Sequence, residues 1–430
     1  MSDPQIMAHS RVVLRPDPTR TVIRPFFPDD PAAFVDRKHP RVQRIVDRIL
    51  TLDEARLRAE CRRVITSLAS RHEDVEDLLL HRFGEVRGLL VEQHPIGHDQ
   101  SLLIGAYFSE EYSFEAAALF NPSIVLHPDQ SDVPENGIRF IMSLRGIGEG
   151  HVSSVTFRTG TWEAGAGFAV DPPGPQAVPP RIQPPQDDDG TVVRLFCGAS
   201  RDISQTVLFP VTPSQRQGIE DLRLVRFVEE DGSTGYLGTY TAFSGADVRS
   251  ELLRTTDFGY FEMRALEGAA ADSKGMALFP RRVGGRYMML GRQDNENLWL
   301  LTSDDLYRWD GGVRIITPQW PWEFIQVGNC GSPIEIDEGW LVITHGVGMV
   351  RNYCMGACLL DKQDPTRILA RTTTPLLKPG ERERDGYVPN VVYSCGSLIH
   401  DRTLLLPYGV ADNLATFASV PLDTLLAAMN

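Results

Sequence analysis

The apolar positions of this chain keep two different rhythms. From Pro40 to Leu90 they recur at three and four residues: Val42, Ile45, Val46, Ile49 and Leu50 share one helical face, and Leu57, Cys61, Val64, Ile65 and Leu68 share another. Thr51 followed by Glu54 is a capping-box signature ahead of the second stretch. A third helix is predicted around Val75, Leu78, Leu79, Leu80 and Phe83, and Glu110 to Leu119 is a candidate for one more. Residues 1–95 are therefore expected to form a mostly helical appendage. Oligomerisation, lining of a pocket mouth and simple packing against the main body all remain open as its role.

After Asn121 the rhythm changes to short apolar, β-branched and aromatic runs separated by Gly, Asp and Asn turns, which predicts an all-β body over residues 96–430. A phrase repeats within it. Gly235-Tyr236-Leu237-Gly238-Thr239-Tyr240 returns as Gly285-Arg286-Tyr287-Met288-Met289-Leu290 and as Gly339-Trp340-Leu341-Val342-Ile343-Thr344, with Tyr236, Tyr287 and Trp340 spaced by 51 and 53 residues. Weaker copies lie at Ile138 to Ser143 and Thr403 to Tyr408. A period near fifty with several strands per unit predicts a five-bladed β-propeller, in which polar residues at inner strand ends converge on one axial pocket. The segment from Asp171 to Gly190, with seven prolines and the run Asp187-Asp188-Asp189, is expected to be an extended excursion. The strand pair that follows, Thr191 to Cys197 and Thr206 to Val211, is either an inserted hairpin or part of a blade.

Composition narrows the partners. The 430 residues carry a formal charge of −14, which disfavours nucleic acid and anionic membrane surfaces and suits a neutral substrate such as a sugar. The first twenty residues lack the apolar core of a secretory signal and no 18-residue apolar run occurs, so a cytoplasmic location is expected. Six cysteines without metal-ligand spacing read as buried thiols, and no metal site is expected.

Candidate chemistry lies in polar residues set inside apolar strands: Asn121 and Ser123, Arg145, Asp221 with Arg223, Lys274, Arg292 with Asp294, His345, Tyr353 and Asp412. In Gly218-Ile219-Glu220-Asp221-Leu222-Arg223, strand alternation puts Glu220 and Asp221 on opposite faces and Asp221 with Arg223 on one. Asp221 is then a candidate proton donor for glycosidic cleavage. A strand-end ion pair is the competing reading.

These phrases, in order, resemble glycoside hydrolase family 130, the inverting β-mannoside phosphorylases and related β-1,2-mannosidases. The likeness covers roughly residues 100 to 425. It rests on Phe120-Asn121-Pro122-Ser123, Ser143-Leu144-Arg145, Gly218 to Arg223, Leu278-Phe279-Pro280, His345-Gly346-Val347, Gly386 to Tyr393 and Tyr408-Gly409-Val410-Ala411-Asp412. The resemblance implies a five-bladed propeller with Asp221 as proton donor, although Leu222 replaces the proline of the family's Glu-Asp-Pro-Arg phrase. It implies mannose contacts at Asn121, Ser123, Arg145 and Asp412, a pocket-shaping role for Tyr353, and phosphate contacts at Lys274, Arg292 and His345; Arg223 and Asp294 are further candidates for substrate binding. Phosphate is the implied co-substrate and no other cofactor is needed.

Phosphorolysis needs one acid and converging cations. An inverting hydrolase instead needs a second carboxylate about 6.5–9.5 Å from the acid. Glu149, Glu262, Glu296 and Glu323 are available for that role, and Gln326 stands where a phosphate-binding lysine is expected. The expected activity is therefore phosphorolysis of manno-oligosaccharides to mannose 1-phosphate. A β-1,2-mannosidase and a noncatalytic sugar-binding propeller are the alternatives, and a homo-oligomer remains open.

Overall fold

The computed structural model describes residues 6–28, 30, 32–92, 94–131, 133–183, 192–198, 200–380 and 383–429. The chain separates into two compact units, one of Thr19–Ser113 with Pro175–Val178 and one of Met1–Pro18, Phe114–Gly174 and Pro179–Asn430.

The smaller unit is mostly helical. The predicted stripes become α1 (Arg41–Leu50), α2 (Glu54–Leu68) and α3 (Val75–Arg87), which bury Val46, Ile49, Leu57, Cys61, Leu79 and Val86 in one core. The cap of α2 is Asp53, whose carboxylate accepts from the Arg56 amide, and Thr51 ends α1 instead. A fourth helix, α4 (His98–Tyr107), escaped prediction because Ser101 to Gly105 are all buried and leave no polar face to set a period. Gly105 is required where α4 crosses α3, since a Cβ there would lie 2.0 Å from the Leu79 carbonyl oxygen. Glu110 to Leu119 is not helical. Ser109–Ser113 pairs antiparallel with Thr21–Pro25, setting Tyr112 opposite Val22, and the next strand begins at Ala118. Tyr112 is buried while its neighbour Glu111 is exposed, the alternation of a strand.

The larger unit is mostly β and contains five antiparallel groups in chain order. The first is Ala118–Leu126, Gly137–Ile147 and Ser153–Glu163. The second is Gly218–Val228, Thr234–Phe243, Val248–Thr255 and Tyr260–Ala265, extended by Val192–Phe196 and Arg181–Gln183. A single parallel pair, Gly218 with Ser153, links these two groups. The third runs from Ala277–Leu278 through Tyr287–Gly291 and Leu298–Ser303 to Gly312–Ile316. The fourth contains Gln326–Asn329, Gly339–Val347, Tyr353–Leu360 and Ile368–Arg371. The fifth contains Val392–Tyr393, Thr403–Val410 and Leu414–Pro421, and the N-terminal Ala8–Leu14 forms its outer strand. The repeated phrase marks the second strand of every group. The segment after the proline-rich stretch belongs to these sheets, since Val207–Leu208 pairs with Ser153–Glu163 and Val192–Phe196 with Tyr260–Ala265. The run Asp187 to Asp189 lies outside the described residues.

Each group shares an apolar core with the next. Ile141 and Phe157 of the first meet Leu224 and Tyr240 of the second. Phe227 and Leu237 of the second meet Leu278 and Met289 of the third. Phe279 and Leu298 meet Trp340 and Val342, and Ile343 and Met355 meet Leu404 and Tyr408. Leu119 and Phe140 of the first group in turn pack on Leu405 and Phe417 of the fifth. Among the described residues no sheet closes on itself by hydrogen bonding.

Candidate active site

Two strand irregularities build the site. Asn121 and Asp221 both have left-handed backbone, with φ of 49° and 54°, and each lies in a register break of the first strand of its group. Asn and Asp tolerate this region better than most side chains, and such strain concentrates at functional positions. The bulge overturns the expected alternation. Glu220 and Asp221 do not face opposite sides: Arg145 donates from Nη2 to Glu220 Oε1 at 2.7 Å and from Nη1 to Asp221 Oδ1 at 3.4 Å. Asn121 Nδ2 donates to the same Asp221 oxygen at 2.7 Å. Asn121 Oδ1 is buried without a protein partner.

Arg223 supports this cluster from beneath. Only 1% exposed, it donates to the Asp221 backbone carbonyl at 3.0 Å and to the Tyr393 hydroxyl at 2.7 Å. Arg145 Nε is fixed by Ser153 Oγ at 2.9 Å. Ser123 is fully buried and its Oγ accepts from the Leu224 amide, so it ties the first strands of two groups together. Arg292 donates to the Lys274 carbonyl at 3.3 Å and approaches His345 Nε2 at 3.5 Å. His345 Nδ1 lies 3.3 Å from the Asn329 carbonyl oxygen, which can only accept, so Nδ1 carries the proton and Nε2 presents its lone pair to Arg292. Tyr353 stacks on the His345 ring at 6.1 Å.

The charges sort the carboxylates. Burial raises the pKa of Asp221, but Arg145, Arg223, the Asn121 hydrogen bond and Arg292 outweigh it and hold the acid below its ordinary value. Asp412, also left-handed at φ 50°, is pushed up to about 6 by burial and by the charge of Asp221, against the pull of Arg145 and Arg351. Two neighbouring carboxylates thus move in opposite directions. Burial, then Arg292 and Arg223, hold His345 well below 6.5, so it is a neutral imidazole rather than the cation the sequence suggested.

Of the predicted residues, Asn121, Arg145, Asp221, Arg223, Arg292, His345 and Asp412 are coupled by these bonds and fields. Lys274 reaches the cluster through its carbonyl. Asp294 instead closes a local turn, accepting from the Glu296 and Asn297 amides and from Asn297 Nδ2. Glu323 is fully buried in an ion pair with Arg371 at 2.9 Å, and Glu262 pairs with Arg194 at 3.2 Å. Sequence reasoning missed Glu220, because alternation placed it on the far face, and Tyr393, whose apolar strand gave no polar signal. Among the described residues no group of three or more His, Cys, Asp or Glu is placed to hold a metal.

A model of the β-1,4-mannooligosaccharide phosphorylase family, glycoside hydrolase family 130, matches residues 200–430, more than half of the chain. The chain belongs to that family. It is 35% identical to a 1,2-β-oligomannan phosphorylase of Thermoanaerobacter sp. (strain X514), over 52% of this chain and 77% of the relative. It is 36% identical to a β-1,2-mannobiose phosphorylase of Listeria innocua, over 48% of this chain and 58% of the relative. A solved Listeria innocua β-1,2-mannobiose phosphorylase in complex with β-1,2-mannobiose shares the fold, with a TM-score of 0.52 and 22% identity over 73% of this chain and 92% of that one.

Proposed function

We propose that this protein is an inverting phosphorylase of β-mannosides, built on a five-bladed β-propeller. The cyclic series of shared cores, with the fifth group packed on the first, supports the propeller. So does a cavity of about 330 Å³ lined by Val125, Leu224, Pro280, Pro333 and Ser397, since Val125 and Leu224 lie on the first strands of the first two groups and Pro280, Pro333 and Ser397 follow the first strands of the other three. No helix among the described residues is long and apolar enough to cross a membrane. Six buried unpaired cysteines favour a reducing, cytoplasmic setting.

The observation that carries the chemistry is that Asp221 lies within the fields of Arg145, Arg223 and Arg292. A terminal mannose would be held by Asn121, Arg145 and Asp412. Orthophosphate would sit against Arg292 and Lys274, with His345 orienting the Arg292 guanidinium rather than contributing charge. Binding a dianion there offsets the cationic field on Asp221 and raises its proton affinity, so phosphate itself helps arm the acid. Asp221 then delivers its proton toward the glycosidic oxygen, directly or through a sugar hydroxyl, as a phosphate oxygen attacks the anomeric carbon from the opposite face. The carbon–oxygen bond to the leaving sugar breaks, and mannose 1-phosphate of inverted configuration results.

The test is incubation with β-1,2- and β-1,4-mannobiose, with and without phosphate. Mannose 1-phosphate formed only with phosphate supports the reading, and phosphate-independent release of mannose rejects it. Hydrolysis is the second reading, favoured by Glu220 on the same Arg145 as Asp221 and by Gln326 in the place of a lysine.

A further inference from the structure

The hairpin tips of the first and fourth groups have the same backbone. Gly148 has φ −113° and ψ −156°, and Gly348, two hundred residues later, has φ −114° and ψ −158°. Val152 and Asn352 match as closely. Arg145 and His345 occupy the same register before these tips, opposite Val155 and Met355. Both tips therefore project from the end of the sheets that carries the site.

On the first tip, His151 is exposed and held at φ 56°, a conformation uncommon outside glycine. Its ring meets that of Tyr387 at 5.6 Å and 37°. Tyr387 is 69% exposed and belongs to the loop leading into the fifth group. Both partners are anchored to the site. His151 lies two residues before Ser153, whose hydroxyl fixes Arg145. Tyr387 lies between Gly386, where a Cβ would come within 2.4 Å of the Ala411 carbonyl oxygen, and Val388, whose amide donates to that oxygen at 3.0 Å. The ring pair thus bridges the Arg145 and Asp412 sides of the site. Arg292 and His345, by contrast, come from the third and fourth groups.

We propose that His151 and Tyr387 form an aromatic platform for the leaving-group pyranose of the β-mannoside, a reading that rests on the function proposed above. Pyranose rings present apolar C–H faces, and rigid aromatic side chains cover such faces at low conformational cost. Placement beside the sugar-binding groups and away from the phosphate groups assigns the platform to the sugar being expelled. In the reverse direction it would receive the acceptor.

The experiment compares Tyr387→Ala, His151→Ala and Tyr387→Phe with the parent. Initial rates are measured against β-mannobiose and against phosphate, and β-mannobiose binding is measured by calorimetry. Tyr387→Ala should raise KM and Kd for the disaccharide about five- to twentyfold while KM for phosphate stays within twofold, and Tyr387→Phe should recover most of the loss. Unchanged disaccharide KM and Kd in Tyr387→Ala overturn the platform, as does an equal rise in phosphate KM. Size-exclusion chromatography adds a further arm: a change of oligomeric state accompanying the activity loss would assign the rings to a second copy and also overturn it. A parent that neither cleaves nor binds any β-mannoside would instead defeat the functional reading.

Discussion

Asn121 and Asp221, separated by 100 residues, share a hydrogen bond of 2.7 Å between two bulged strands with left-handed backbone at both positions. The bond orients one carboxylate oxygen, and Asn121 Oδ1 is buried without a protein partner. Asp221→Asn should lower kcat by at least about 10³-fold with little change in melting temperature, because it removes the transferable proton and keeps the shape. Asn121→Ala should cost about 10–100-fold in kcat/KM, the worth of one hydrogen bond to a charged group. Steady-state rates with β-mannobiose and phosphate check both.

Asp412 predicts a pH-dependent stability. Its folded pKa of about 6 lies above the ordinary 3.8, so the neutral acid stabilises the fold fully below 3.8 and that contribution is lost as pH rises through 6. Asp412→Asn should therefore melt about 2–5 °C above the parent at pH 8, and the gap should close by pH 4. Thermal unfolding across that range decides it, and a constant gap would contradict the assignment.

His345 predicts the opposite slope. A buried imidazole held neutral must gain a proton on unfolding below pH 6.5, so its contribution to stability falls as pH drops below that value. Nitrogen chemical shifts of the ring should report the neutral form with the proton on Nδ1 at pH 6. His345→Gln, which keeps an acceptor for Arg292, should retain more phosphate affinity than His345→Ala, by about fivefold in KM. Equal KM values for the two variants would assign no orienting role to the ring.

Arg223 predicts a coupled loss of fold and function. Its guanidinium is buried between the Asp221 carbonyl and the Tyr393 hydroxyl. Tyr393→Phe leaves one buried charged donor unpaired and should destabilise the protein by about 1–3 kcal/mol. Arg223→Ala should do more and also raise the proton affinity of Asp221. Denaturant unfolding and the pH profile of kcat separate the two effects.

Much of this architecture was legible in one dimension. The three- and four-residue stripes placed α1, α2 and α3, and the fifty-residue phrase located the second strand of all five groups. The phrases around Asn121, Arg145, Asp221 and Asp412 named residues that the fold brings into one field. Helix α4 was invisible because burial on every side erases a period, and Ser109–Ser113 was misread because its short alternation is spread over charged residues. The side that Glu220 faces was not legible, because alternation is a rule for regular strands and the left-handed backbone at Asp221 breaks it. The neutrality of His345 was not legible, because the type of a residue does not state its charge.

The order of elements follows from local side-chain direction and from the spacing of repeats, which a linear chain already contains. Which carboxylates share Arg145, which acid keeps its proton and how the imidazole faces Arg292 depend on burial and on charges contributed by strands from different sheets. Those fields come into being only when the sheets have packed against one another.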